Sequence, residues 1–138
     1  MQINLLAAWL GILLGFLSGL ALGLGFHREN WLGGYGSFTR RLYRLAHISL
    51  FGLGAVNLLF YFTARVLPAG TMLSLASSAF IAGAITMPVC CLIMAHFPNT
   101  RMLFALPVLS LVTGGVLTLA AICVGQSGPL NIQPLTLN

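Results

Sequence analysis

The sequence has very little charge and almost no acid: 5% of its 138 residues are charged, and Glu29 is the single acidic residue. A soluble domain carries charge on roughly a quarter of its residues, so this composition indicates a membrane protein instead. Paired carboxylates and acid-oriented triads need more acids than one. We therefore predict that the chain is not an enzyme and has no catalytic residues.

Phosphate-binding motifs are also lacking. The glycine-rich stretch Gly33-Gly34-Tyr35-Gly36 neither follows a strand nor opens a βαβ unit, so it matches no dinucleotide or Walker pattern. A net charge of +5 could suggest nucleic-acid binding. The arginines adjoin apolar runs, however, where orientation signals and contacts with anionic headgroups are expected. We predict no nucleic-acid partner.

Long apolar runs dominate what is present, since 59% of the residues are hydrophobic and the mean hydropathy is +1.01. Proline-containing breaks at residues 68–70 and 98–100 separate the later runs. Each run can cross a hydrocarbon layer of about 30 Å as a helix, the form that satisfies its own backbone in lipid. We predict one all-α polytopic membrane domain, a four-transmembrane-helix bundle with these spans: 3–26, 46–67, 72–97 and 102–125.

Positive charge lies mainly on one side of these spans. The connection at residues 27–45 carries four of the six basic residues and the third connection carries Arg101, whereas the second has only Arg65 beside it. The positive-inside rule places the first and third connections in the cytoplasm and both termini on the outer, periplasmic side of a bacterial inner membrane. We predict an interfacial loop at 27–45 and an extended outer tail at 126–138. An interfacial aromatic belt fits four residues of the basic side: Trp31, Tyr35, Phe38 and Tyr43.

The first span carries a small residue at every fourth position. These residues are Ala7, Gly11, Gly15, Gly19 and Gly23. Such a groove lets helix backbones approach closely in lipid. It either docks another subunit or packs against the other spans of the chain, and both alternatives stay open. Asn57, in the middle of the second span, needs a partner for its amide and should face the bundle interior.

Three histidines are expected at one depth, because His27, His47 and His96 each lie at the basic end of a span. Two histidines on facing helices of a bundle can ligate a haem iron axially. His47 and His96 are the preferred pair for a haem b, since both lie within helical stretches. Arg28 and Arg44 would meet the haem propionates. The alternative is interfacial histidines bonded to water, headgroups or backbone carbonyls.

A second candidate site consists of sulfur ligands in the third span, Cys90, Cys91 and Met94. Thiolate and thioether groups suit Cu(I), and Cys90 and Met94 share a helix face because four residues separate them. Cysteine and methionine are also ordinary core residues, so packing is the alternative.

These features predict a small non-catalytic integral membrane subunit of a larger protein complex, preferentially a respiratory or other electron-transfer assembly. A histidine plane with arginines suits a haem or a quinone headgroup. The expected partners are other membrane-protein subunits, docked through the glycine face of the first span, and anionic lipids at the basic side. One alternative is a carrier of electrons or metal that binds haem b or copper itself. A third hypothesis is an oligomeric channel or small-solute transporter.

Overall fold

The computed structural model describes residues 2–25 and 27–126. Within these ranges the chain is all-α, and its four long helices are α1 (Gln2–Gly25), α2 (Phe38–Val66), α3 (Thr71–His96) and α4 (Ala105–Gln126). Short 3₁₀ helices at Trp31–Gly33 and Pro98–Phe104 lie in the first and third connections.

All four helical segments of the described part are long and apolar enough to cross a membrane, judged by length and composition. The prediction of an all-α chain with four such helices is therefore confirmed. The predicted tail at 126–138 lies outside the described residues except for Gln126, the last residue of α4.

The largest difference from the sequence prediction concerns the start of α2. This helix begins at Phe38, within the predicted interfacial loop. Ser37 caps it, because its hydroxyl oxygen accepts a hydrogen bond of 3.2 Å from the backbone N–H of Arg40. Arginines lower the hydropathy of this stretch but are good helix formers. Hydropathy therefore located the apolar part of α2 and missed its charged first turns.

The helices pack in the order of the sequence. Extensive contacts join α1 to α2, α2 to α3 and α3 to α4, and a smaller contact joins α1 to α3. No comparable contact joins α1 to α4 over residues 2–25 and 27–126. The two outer helices therefore lie at opposite edges of a row, and α2 and α3 supply most of the buried residues.

The glycine face of α1 contacts α2 along its first half. A Cβ atom built on Gly11 would lie 3.0 Å from the carbonyl oxygen of Leu50 and 3.4 Å from the Cα atom of Gly54. One turn later, a Cβ atom on Gly15 would lie 2.8 Å from the ring of Phe51. Both positions are closed to a larger residue, so these glycines serve packing within the chain.

Contact between the glycine face of α1 and α2 decreases towards the basic end of the helices. At Gly19 the nearest atom is Cε1 of His47, 2.9 Å from a built Cβ, and at Gly23 nothing lies within 4 Å. Three of the four glycines predicted as a partner face are thus covered by α2. Of the two alternatives that the sequence left open, these contacts correspond to packing against the other spans of the chain.

Contact between α3 and α4 also depends on a glycine. A Cβ atom on Gly83 would lie 2.5 Å from Cδ2 of Leu111, so the leucine occupies the space above the glycine. Ser110 donates a hydrogen bond of 2.7 Å to the carbonyl of Ala79. Small residues and an interhelical hydrogen bond are the usual means of joining helices in lipid.

A buried polar cluster joins α1, α2 and α3 at the end opposite the arginines of the first connection. Asn4 and Asn57 are both 0% exposed, and Ser77 is also buried. The Asn4 amide nitrogen donates to Oδ1 of Asn57 at 2.9 Å, and the Ser77 hydroxyl donates to Oδ1 of Asn4 at 2.5 Å. We call Asn4, Asn57 and Ser77 the polar clamp. The predicted interior position of Asn57 is confirmed.

Candidate functional site

The connection between α1 and α2 folds over the basic end of the helices. The Trp31 ring packs on Gly25, where a built Cβ would lie 2.6 Å from the indole. Leu32, Gly33 and Gly34 have φ angles of 54°, 82° and 89°. Glycine adopts this left-handed region without cost, whereas leucine rarely does. Ser37 holds this turn, since its hydroxyl donates to the Leu32 carbonyl.

Two arginines of α2 are stacked on aromatic rings of this connection. Arg40 is only 4% exposed, and its Cζ atom lies 5.0 Å from the ring centroid of Tyr35 and 6.0 Å from that of Trp31. Arg44 approaches the same Tyr35 ring at 5.1 Å. These distances are those of cation–π contacts. Of the two predicted propionate ligands, Arg44 is thus stacked on Tyr35, while Arg28 is exposed.

His47 is held between α1 and α2. Its Nδ1 atom lies 2.9 Å from the Ser18 hydroxyl of α1, and its ring meets the Phe51 ring edge-on with centroids 5.4 Å apart. The absence of a side chain at Gly19 makes room for the imidazole. Contacts from two helices therefore fix the orientation of this ring.

The hydrogen bond between His47 and Ser18 indicates which nitrogen of His47 is available. A serine hydroxyl has one hydrogen, and that of Ser18 is donated to the Gly15 carbonyl at 2.9 Å. The Ser18 oxygen then accepts from Nδ1–H of His47, and Nε2 of the neutral imidazole keeps its lone pair. A histidine whose other nitrogen is held in this way is suited to ligate a metal or to accept a hydrogen bond.

His96 lies at the end of α3 and is exposed. Its Nε2 atom lies 3.0 Å from the Tyr43 hydroxyl, and the two rings meet edge-on at 6.0 Å. Tyr43 precedes His47 by one turn on the same face of α2. The structure therefore places both predicted haem ligands at one end of the molecule, held by different partners. Axial ligation by both Nε2 atoms would require His96 to exchange its bond to Tyr43 for iron.

The third histidine, His27, follows α1 and is exposed. None of the contacts of the described residues brings it to His47 or His96. Its predicted place in a haem site stays a prediction.

The predicted sulfur ligands are all buried in α3. The Cys90 thiol donates weakly to the carbonyl of Leu103 at 3.5 Å, and Met94 packs against Leu42. No group of three or more His, Cys, Asp or Glu side chains could hold a metal ion in the part of the chain that the structure describes. A copper site that combines Cys90 and Cys91 with Met94 stays a prediction.

A cavity of about 240 Å³ lies beside His47, and we call it the head cavity. Residues of α1, α2, α3 and the first connection line it. Its polar side chains are those of Ser18, Trp31, Tyr43 and His47. The remainder of its wall is apolar and includes Leu22, Leu50, Pro88 and Leu92. The head cavity therefore offers a few hydrogen-bonding groups within an otherwise apolar space.

A second cavity of about 440 Å³, which we call the tail cavity, follows α1 and α3 above α2. Leu50 and Pro88 line both cavities, so the two adjoin. The wall of the tail cavity holds only aliphatic side chains, proline and glycine. Leu10, Leu14 and Val89 are exposed at its rim, so it opens at the surface. We call the two cavities together the α1–α3 groove.

Sequence reasoning did not identify Ser18 or Asn4 and gave Tyr43 only a place in the aromatic belt. Tyr43 precedes His47 by four residues, and that spacing could have indicated a shared helix face. The contact of Ser18 with His47 depends on how α1 packs on α2 and has no local signal.

Comparison with protein-family models, curated proteins and solved structures finds no match for this chain.

Proposed function

We propose that the chain is a non-catalytic integral membrane subunit of a larger assembly in a bacterial cytoplasmic membrane, preferentially an assembly that transfers electrons. The observation that supports it is the open row of helices, in which α1 and α4 share no extensive contact within residues 2–25 and 27–126. Each outer helix is therefore covered by the chain mainly on one side. Its other side is available to partner helices.

The edges of the row are the proposed contact surfaces. Leu20 on α1 and Leu119 on α4 are each 64% exposed. Because α2 covers Gly11, Gly15 and Gly19, partner contact is assigned to such edge side chains and not to the glycine face. Dispersion between closely packed apolar side chains is sufficient to join helices in lipid.

The proposed orientation follows the charges. Arg40, Arg41 and Arg44 lie in the first turns of α2, beside the first connection. This end is placed in the cytoplasm by the positive-inside rule, and it is also where anionic headgroups or acidic partner residues would meet the arginines. At the opposite end Arg65 donates to the Tyr61 hydroxyl at 3.1 Å. A single paired arginine there does not outweigh the larger group.

The electron-transfer setting is supported by His47, which lines the head cavity and whose Nε2 atom keeps its lone pair when Nδ1–H donates to Ser18. The same observation favours a second candidate function, a haem b-binding electron carrier. A reduced-minus-oxidised spectrum of the purified protein distinguishes them. A b-type band that His47→Leu removes would support the carrier, and a spectrum without that band would eliminate it.

The subunit proposal is tested by native mass spectrometry after mild detergent extraction from the source membrane. We expect the chain to appear with partner chains at a fixed stoichiometry. A photo-crosslinking residue at position 20 or 119 should give an adduct of partner size, and the same residue at the buried Ala8 should give none. Recovery of a monomer alone, with lipid adducts at both edges, would refute the proposal.

A further inference from the structure

The α1–α3 groove has two chemically different ends. Its head cavity presents the His47 imidazole and two aromatic side chains, Trp31 and Tyr43, whereas its tail cavity is aliphatic throughout. Volumes of about 240 and 440 Å³ together reach the range of roughly 300–1,000 Å³ that is usual for ligand sites. A ligand that fits both ends has a compact head with few polar atoms and one apolar chain.

We propose that this groove binds a prenylated quinol, with its ring in the head cavity beside His47 and its isoprenoid chain in the tail cavity. The inference deepens the proposed electron-transfer role and rests on the membrane location that is part of it. It assigns to the groove a ligand class and to His47 a specific contact.

The head of the ligand is identified by the hydrogen-bonding groups that the cavity offers. With Nδ1–H of His47 donated to Ser18, its Nε2 atom is an acceptor. A quinol hydroxyl can donate to this atom, whereas the carbonyl of the oxidised quinone cannot. The rings of Trp31 and Tyr43 line the same space and can pack against a flat ring. For the contact with His47, the reduced form is therefore the better ligand.

Phospholipid heads fit the same cavity poorly. A phosphate or sugar head carries many acceptor oxygens and needs several donors or a positive charge. No arginine lines either cavity in the described ranges, and the neighbouring Arg40 is stacked on Tyr35. Burial of a phosphate away from these arginines would leave its charge uncompensated.

The chain of the ligand is identified by the shape of the tail cavity. Its α1 wall runs from Ile3 to Leu14, a length of about 16 Å at 1.5 Å per residue. Gly11 and Gly54 line its floor, and its exposed rim allows entry from the bilayer. We assign the one apolar chain of the ligand to this space.

Binding is measured on the full-length protein in nanodiscs of phosphatidylcholine, titrated without oxygen with decylubiquinol and, separately, with decylubiquinone. The chain has two tryptophans, and Trp31 lines the head cavity. In a Trp9→Phe background, Trp31 fluorescence therefore reports on this site alone. We expect saturable quenching, with the quinol binding about tenfold more tightly than the quinone, as for one hydrogen bond to a well-placed acceptor.

Two matched variants test whether the isoprenoid chain of the ligand lies in the tail cavity. Ala84 lines the tail cavity, and Ala82 is exposed on the same helix and lines neither cavity. Ala84→Phe should weaken quinol binding by tenfold or more, because the ring fills the space of the chain. Ala82→Phe should leave the affinity within about twofold.

Two further variants test the head. His47→Leu should remove the preference for the quinol over the quinone, and Ser18→Ala should reduce that preference. Circular dichroism of each variant checks that the helices are intact. Quenching that does not saturate would overturn the inference, as would equal affinity in Ala84→Phe and Ala82→Phe. So would a phospholipid that copurifies and is not displaced by quinol.

The quinol-binding experiment and the test of the subunit proposal can fail independently of each other. A monomer that binds quinol saturably refutes the subunit proposal and supports this inference. A partner-bound chain that does not bind quinol refutes this inference and leaves the subunit proposal standing.

Discussion

The two halves of α1 present the same small-residue pattern and meet different environments. In the first half, Gly11 lies against the backbone of α2 at Gly54. In the second half, the residue below Gly19 is the His47 ring, and Gly23 has no neighbour within 4 Å. A stripe of small residues thus has no single role. Where two glycines face each other the backbones approach, and towards the basic end the small residues of α1 meet the rings of Phe51 and His47 instead.

The polar residues packed near the two halves of α1 also differ in their contacts. The side chains of the polar clamp bond to one another and to backbone carbonyls, so every contact is made within the chain. His47, in contrast, is bonded to Ser18 through one ring nitrogen and lines the head cavity. We infer that the polar clamp has a structural role, whereas the head cavity is the candidate ligand site.

The largest effect on stability is expected for Asn57→Leu. The change removes the Asn57 acceptor of one Asn4 N–H while the Asn4 amide stays buried and keeps its contacts with Ser77. Loss of the hydrogen bond and an unsatisfied amide should together lower the free energy of unfolding by about 2–4 kcal/mol. The measurement is denaturation in mixed detergent micelles, followed by circular dichroism. The double variant Asn4→Leu with Asn57→Leu should recover part of the loss, and a wild-type midpoint for the single variant would contradict a structural clamp.

Gly54→Ala should be the next most destabilising change. A Cβ atom at this position would lie 3.0 Å from the Ala8 carbonyl oxygen, whereas Gly52 on the same helix has nothing within 4 Å. Because the neighbouring atom belongs to the backbone, α1 must move, at a cost of about 1–3 kcal/mol. Gly52→Ala is the control and should be neutral or slightly stabilising, since alanine favours helix. Equal midpoints for the two variants would show that the close approach is not needed.

A smaller effect is expected when Ser77 becomes alanine. Its hydroxyl donates to Asn4 across two helices, whereas that of the adjacent Ser78 donates to the Leu75 carbonyl of its own helix. Interhelical hydrogen bonds of this kind in lipid contribute roughly 0.6–1.7 kcal/mol. Ser77→Ala should lose about this amount and Ser78→Ala almost none, under the same denaturation conditions. A larger loss of stability for Ser78→Ala than for Ser77→Ala would contradict the assignment of the interhelical hydrogen bond to Ser77.

The smallest effect on stability is expected for His47→Leu. Its ring is only half-buried and adjoins an open cavity, so the free energy of unfolding should change by less than about 0.5 kcal/mol. The quinol preference should disappear in the same preparation. A loss as large as that of Asn57→Leu would make His47 a packing residue and would remove the contrast between the two halves.

Hydropathy predicted the number of the helices and their approximate ends, except for the charged start of α2 at Phe38, because crossing a membrane requires long apolar runs. Asn57 could be placed in the interior for the same reason, since a lone amide in an apolar run needs a partner. Asn4 gave no such signal. It is close to the start of α1, where a polar residue is as easily explained by the membrane surface.

The candidate site was predictable only in part. The charge pattern placed His47 and His96 at one end of the molecule, and their contacts with Ser18 and Tyr43 lie at that end. The groove could not be predicted, because it exists only where α1 and α3 approach the same face of α2. Its lining combines residues from distant parts of the sequence, and nothing in the local pattern of Leu50 or Pro88 indicates that they adjoin two cavities.

The order of the helices in the row also has a consequence for biogenesis. Because each extensive contact joins helices adjacent in sequence, each new helix can pack on its predecessor with little loss of chain entropy, in the proposed setting as soon as it enters the bilayer. The hydrogen bond between Ser77 and Asn4 spans 73 residues and can form only after α3 has arrived. We therefore expect synthesis to build the α1–α2 pair first and to close the clamp with the third helix. The groove between α1 and α3 would be complete at the same moment, before α4 is added.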